Sequence, residues 1–132
     1  MRFPGHSYED FQFWRSYGND PLAPSVGCMG RDPVGLEKTE RRMQTQAHVH
    51  NAQGVSKGMV PGPARIWLQL DADSYFATYP GAINDYPDPG DNHGADGHNA
   101  NFGDGHGEWV TVKAGYYLKM REWSMDEGKM GP

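Results

Sequence analysis

Glycine and proline interrupt this chain too often for it to build long helices. Its 132 residues include 18 Gly and 10 Pro, and both weaken or break a helix interior. A chain of this length holds about one domain around one core, which excludes an enzyme with separate cofactor and substrate lobes. Yet 4 Trp, 7 Tyr and 5 Phe supply more aromatic surface than disordered chains carry, since those cannot bury enough apolar area to offset chain entropy. The expectation is a loop-rich fold around a small aromatic core.

The charge balance narrows the partners. With 17 acidic and 12 basic residues and a net charge of −5, the chain is a poor match for phosphate backbones, whose binders cluster Lys and Arg. A nucleic-acid partner is not expected, and a cation is the better small partner. Arg31, Lys38, Arg41 and Arg42 read as a solvated helical face. Cys28 is the single cysteine, so neither an internal disulfide nor a four-cysteine zinc site can form. No apolar run reaches the length of a membrane span, and Met1–Gly5 does not begin an export signal. The abrupt aromatic start fits a chain whose targeting segment has been processed away or lies upstream.

Along the chain, 8–17 (YEDFQFWRSY) places Tyr8, Phe11 and Trp14 at helical spacing, with Glu9 and Asp10 suited to a helix N-terminus. This predicts a short amphipathic helix. A Gly/Pro-punctuated stretch around Cys28 follows, and then 36–46, a polar piece that reads as a short exposed helix or an extended arm. The clearest strand is 64–71 (ARIWLQLD), where Ile66, Leu68 and Leu70 alternate with Arg65, Trp67 and Gln69, predicting one buried face. Residues 80–107 are dominated by Gly, Pro, Asp and His and read as a long loop, too polar to build core, with Phe102 as an anchor. A second strand, 108–113 (EWVTVK), sets Trp109 and Thr111 against Val110 and Val112. A last apolar element covers Tyr116–Leu118 and Met120–Trp123, before a fraying tail from Asp126.

The residues with chemistry concentrate in 88–108 (DPGDNHGADGHNANFGDGHGE), where Asp-Gly-His occurs at 96–98 and again at 104–106. Three readings compete. Oxygen ligands in that loop suit a hard cation such as calcium. The imidazoles of His93, His98 and His106, with Asp104, suit a transition metal. Alternatively the loop is structural, pinned by His and Asp hydrogen bonds to backbone. The calcium-binding nonapeptide solenoid needs more repeats than two imperfect copies, and the EF-hand spacing fails. His48 and His50 would share a face if extended, without further ligands to complete a site; His6 carries no role.

Signatures of catalysis are missing: there is no nucleophile elbow, phosphate-cradling glycine loop, His-Glu-x-x-His helix or paired-cysteine site. Nothing orients Cys28 toward a histidine. Asp71 and Asp73, two apart at a strand end, are the best remaining acids, with turn formation as the plainer role. The Asn-x-Ser/Thr sequon does not occur.

The stretch from Pro63 to Gly128 resembles the C-terminal part of the prepilin-like proteins of planctomycetes and verrucomicrobia that carry a His-x9-Asp-Gly processing-associated motif, themselves similar to type II secretion pseudopilins. The matching pieces are 63–71 (PARIWLQLD), 82–85 (AIND), 92–95 (NHGA), 101–109 (NFGDGHGEW) and 121–127 (REWSMDE). Cys28 and 42–53 resemble the family more faintly. Two departures stand out: ten residues separate His93 from Asp104 where the family has nine, and Met29 follows Cys28 where the family has Pro. The family's N-terminal hydrophobic helix is not among these residues.

The resemblance implies an α+β, pilin-like domain, loop-rich, with a small antiparallel sheet and short helices. One domain is expected over 1–132, with an irregular part at 1–62 containing a short helix, and the sheet with its Asp/Gly/His-rich loop at 63–128. It implies a noncatalytic subunit of an extracellular or cell-surface filament, pilus or pseudopilus, whose partners are copies of itself. Pseudopilins often hold calcium in an acidic loop, and by resemblance Asp71, Asp85, Asp91, Asp96 and Asp104 are the candidate ligands. His93, Gly105 and His106 are then the structural motif, with His93 expected to bond across to the Asp104–Gly105 turn. Two other functions stand beside this one: a small metal-dependent hydrolase or lyase using His93, His98, His106 and Asp104, and a calcium-dependent carbohydrate-binding module stacking sugars on Trp67, Trp109 or Trp123.

Overall fold

Two sheets and two helices organise the chain in a computed structural model that describes residues 8–14, 36–48, 51, 54–72 and 86–125. The order is β1 (Tyr8–Asp10), β2 (Phe13–Trp14), β3 (Leu36–Glu37), α1 (Glu40–Thr45), β4 (Trp67–Asp71), β5 (Gly97–Phe102), β6 (Gly107–Thr111) and α2 (Tyr116–Met125). All pairings are antiparallel: β1-β4-β5-β6 form a four-stranded sheet, and β2 pairs with β3. The fold is α+β with a small antiparallel sheet, as expected. Among the described residues no helix is long and apolar enough to cross a membrane.

The helix predicted over 8–17 is instead two short strands as far as Trp14, with 15–17 outside the described residues. Aromatic side chains favour extended backbone, and a short run with apolar positions three apart is compatible with either state. Strand partners decide between them: Phe13 and Trp14 pair with β3, and the residues before them meet the edge of β4. That edge pairs with Tyr8, Glu9 and Asp10, and the Phe11 N–H continues that pairing to the Leu68 carbonyl at 2.8 Å. The four-stranded sheet therefore takes one strand from within 1–62. The short helix of that part is α1, capped by the Thr39 hydroxyl, which accepts from the Arg42 N–H, and anchored by buried Met43.

The strand predicted over 64–71 begins as a 3-10 turn at Pro63–Arg65 and becomes β4 only at Trp67. Strict alternation fails because Ile66 and Trp67 are both fully buried. Ile66 packs with Trp14 and Met43, with Leu36 and Leu68 against them, whereas Trp67 and Leu70 enter the main core. A register irregularity between Trp67 and Gln69 accommodates the two directions.

The largest departure lies in 80–107, where β5 is an interior strand of the sheet and not loop. Its alternation is regular once histidine counts as a core residue: His98, Ala100 and Phe102 are buried, while Asn99 and Asn101 are exposed. A Cβ at Gly97 would stand 2.3 Å from the Val110 carbonyl, so only glycine allows β6 to close on β5 there. In β6, Val110 is buried and Trp109 exposed, as its alternation predicts. The final apolar element is α2, which lays Tyr117, Met120, Trp123 and Met125 into the main core with Phe11, Val55, Trp67, Leu70, Ala100, Phe102 and Val110. Side-chain-to-backbone bonds fix this docking: the Trp14 indole N–H donates to the Trp123 carbonyl at 3.0 Å, and the Trp67 N–H to the Ser124 hydroxyl at 2.8 Å.

Candidate functional site

The β5–β6 hairpin and its approach hold most of the chemically capable side chains, and the fold sorts them into three separate hydrogen-bonded groups. The first is the turn. The Phe102 N–H donates to the His106 carbonyl and the Gly105 N–H to the Phe102 carbonyl, both at 2.9 Å, with Gly105 in the left-handed region at φ +91 that favours glycine. Asp104 Oδ1 accepts from the His106 N–H at 3.1 Å and lies 2.5 Å from His106 Nδ1, closing an Asx-type turn. The imidazole stacks face to face on Phe102, 4.5 Å between centroids, and turns Nε2 toward Glu108 Oε2 at 3.5 Å. Glu108 Oε1 in turn accepts from the Tyr116 hydroxyl at 2.5 Å.

This arrangement moves its protons in predictable directions. The His106 backbone N–H, then its ring, holds the Asp104 carboxyl below its ordinary value. The Asp104 hydrogen bond lifts the His106 imidazole above 6.5, against a smaller opposing effect of desolvation. Burial, then Glu108, pushes the Tyr116 hydroxyl up to about 12. We expect a proton-resolved NMR titration to place the His106 midpoint above 6.5, and Asp104→Asn to lower it; an unchanged midpoint in that variant would refute the assignment. The pair is exposed to solvent, so its contribution to stability is small.

The second group centres on Asp71, buried at the end of β4. Its Oδ2 accepts from the Asn99 N–H at 2.6 Å and Asn99 Nδ2 at 3.0 Å, and lies 3.3 Å from His93 Nε2. His93 therefore pairs with Asp71 and Asn99, not with the Asp104–Gly105 turn, which His106 closes by itself. The extra residue between His93 and Asp104 fits this: β5 occupies most of that interval, and His93 precedes it by a 3-10 turn at Gly94–Asp96.

The third group is buried. His98, fully enclosed, directs Nδ1 to the Tyr117 hydroxyl at 3.1 Å and Nε2 to Asp91 Oδ2 at 3.2 Å. Asp91 also accepts from the Asp88 N–H at 2.7 Å, so the loop before β5 is tied to α2 through one imidazole. Desolvation lowers the His98 pKa, partly offset by Asp91.

The proposed ligand sets are thus distributed. Asp71, Asp91 and Asp104 belong to three different groups. Asp96 contributes its carbonyl, which accepts from the Val112 N–H at 3.0 Å and the Thr111 hydroxyl at 3.3 Å. Asp73, Asp85, His6, Cys28 and His50 lie outside the described residues. His93, His98 and His106 are likewise divided, and among the described residues no group of three or more His, Cys, Asp or Glu is placed to hold a metal ion. Asn99, Tyr116 and Tyr117 complete the groups without having been singled out from sequence. Asn99 was legible in principle, since it alternates with buried His98 and Ala100; the tyrosines come from α2, and only the packing of α2 on the sheet brings them in. The chain matches no protein-family model, and no curated protein or solved structure shows significant similarity to it.

Proposed function

We propose that this chain is a noncatalytic structural subunit that assembles with copies of itself into an extracellular or cell-surface filament of the pilus or pseudopilus type. The observation that carries the reading is how the hairpin spends its reactive side chains. Residues 101–109, central to the prepilin resemblance, form the tight β5–β6 turn and the strand ends it joins, where Asp104, His106 and Glu108 serve one another and Tyr116. The other two histidines of the segment are engaged with Asp71 and Asp91. Catalysis needs a group held ready for substrate at an accessible centre, whereas a structural motif needs its polar groups mutually satisfied. The second description fits this segment.

The test is microscopy and sedimentation of the native protein isolated from the cells that make it. Filaments containing this chain are the expected result. A native protein that stays strictly monomeric at high concentration, with and without calcium, overturns the reading.

A further inference from the structure

We propose that the open face of the four-stranded sheet is a binding platform for a neutral polysaccharide. This inference is independent of self-assembly. Strand register puts Tyr8, Asp10, Gln69, Asp71, Asn99, Asn101 and Trp109 on the sheet face opposite His98, Ala100 and Val110, which point into the core. Two cross-strand rows result.

The first row runs from Tyr8 through Asp71 and Asn99 to Trp109. Its two ends are exposed aromatics, Tyr8 at 57% and Trp109 at 41%. They sit on opposite edge strands, three strand spacings or about 14 Å apart. His93 stands edge-on to the indole at 5.7 Å, and the ring lies close enough to Gly97 that a Cβ there would come within 3.0 Å of it. The indole is therefore positioned by its neighbours while one-third or more of it remains accessible.

The second row is a ladder of side chains. Asn101 Nδ2 donates to Gln69 Oε1 at 2.9 Å, and Gln69 Nε2 donates to Asp10 Oδ1 at 3.2 Å. Each amide nitrogen carries two N–H donors and spends one on the ladder, leaving one for a ligand. Because the ladder already orders these side chains, a ligand meets donors whose rotamer entropy is largely spent. Gly107 opposite Asn101 adds no side chain, and the row continues into an open depression of about 450 Å³ of mixed character, where Asp10, Gln12, Glu37, Lys38, Gln69 and Asn101 are joined by Leu68 and Phe102.

Ordered amides and the Asp10 carboxylate, flanked by exposed rings, match what a sugar polymer presents: hydroxyls that both donate and accept, and C–H faces that pack on aromatic rings. Nucleic acids and anionic glycans are opposed by Asp10, Glu37 and the net charge of −5, while the one cation at the depression, Lys38, donates to the Trp67 carbonyl. A protein partner would need an apolar centre to its interface, whereas here the centre is polar and the aromatics stand at the edges. Of the three tryptophans considered as sugar platforms, Trp67 and Trp123 are buried in the core and only Trp109 is exposed.

The experiment measures retention of the full chain on cellulose, chitin, xylan and mannan, with polygalacturonate as the anionic comparator. Retention on at least one neutral polymer is expected, weakened about tenfold by Trp109→Ala and severalfold by Asn101→Ala, with unfolding midpoints unchanged. Failure to bind any of the four, binding to polygalacturonate alone, or retention unaffected by either substitution overturns the proposal. So does a Trp109→Ala variant that loses only self-association. A filament that ignores all four polymers would leave the assembly reading standing and remove this one.

Discussion

Replacing His98 by alanine lowers the unfolding free energy by about 3–5 kcal/mol, the range for deleting a large buried side chain. The ring is fully enclosed, and its loss removes the link between Asp91, in the loop before β5, and Tyr117 on α2. Total stabilities of small domains are about 5–15 kcal/mol, so the variant should be marginal. Urea unfolding at pH 7.5 measures the loss; a midpoint within experimental error of the parent protein would show that the three-residue link is dispensable.

The same imidazole makes stability depend on pH in a definite direction. Burial depresses the folded-state pKa of His98 below the ordinary 6.5, with Asp91 and Asp71 pulling it back and His93 adding to the depression. The unfolded chain therefore takes up this proton before the folded one does. The contribution is fully present above 6.5 and is lost as pH falls from 6.5 toward the depressed value, by at most about 1.4 kcal/mol per pH unit. Urea midpoints across pH 7.5 to 5 should fall in the parent chain, with a shallower slope over that window in His98→Ala. Equal slopes would assign the acid sensitivity to other groups.

Trp67→Ala should cost a comparable amount, again about 3–5 kcal/mol, by opening a cavity where the two cores meet. The indole packs edge-on to Phe11 at 6.2 Å and tilted against Tyr117 at 5.3 Å, so it joins the segment after β1 to α2. Its backbone groups would keep their partners, the Ser124 hydroxyl and the Lys38 ammonium, which makes this substitution a test of packing alone. Trp67→Phe, which retains a ring, should lose less. Near-ultraviolet dichroism and urea unfolding would report both, and an alanine variant as stable as the parent would mean that the core closes over the missing indole.

The two edge aromatics and the central one show how far pattern alone carries. Trp109 alternates with Val110, and the period-two rule correctly separates them onto opposite faces, while the packing of the sheet decides that Val110 is the buried one. Trp67 obeys the same local pattern as its neighbours, yet both it and Ile66 are buried, because two separate clusters claim consecutive residues. The segment 8–17 read as helical by spacing, and its described part took its state from two separate partners, β4 about sixty residues away for β1 and β3 about twenty residues away for β2. Nor could spacing assign Asp to His. Asp71 meets His93, Asp91 meets His98 and Asp104 meets His106, at sequence separations of 22, 7 and 2; only the last is short enough to be a local turn.

What the sequence determined by itself were the properties that arise within a few residues: limited helix length from Gly and Pro, the alternation of β6, and a mixed α+β composition of elements. Tertiary structure alone decided which carboxylate each histidine meets, that a Gly- and Asp-rich stretch contains an interior strand, and that amides from separate strands line up beside exposed rings. Those outcomes depend on strand register and on where α2 docks. Both are set by the summed burial of residues far apart in the chain, for which no local pattern carries the information.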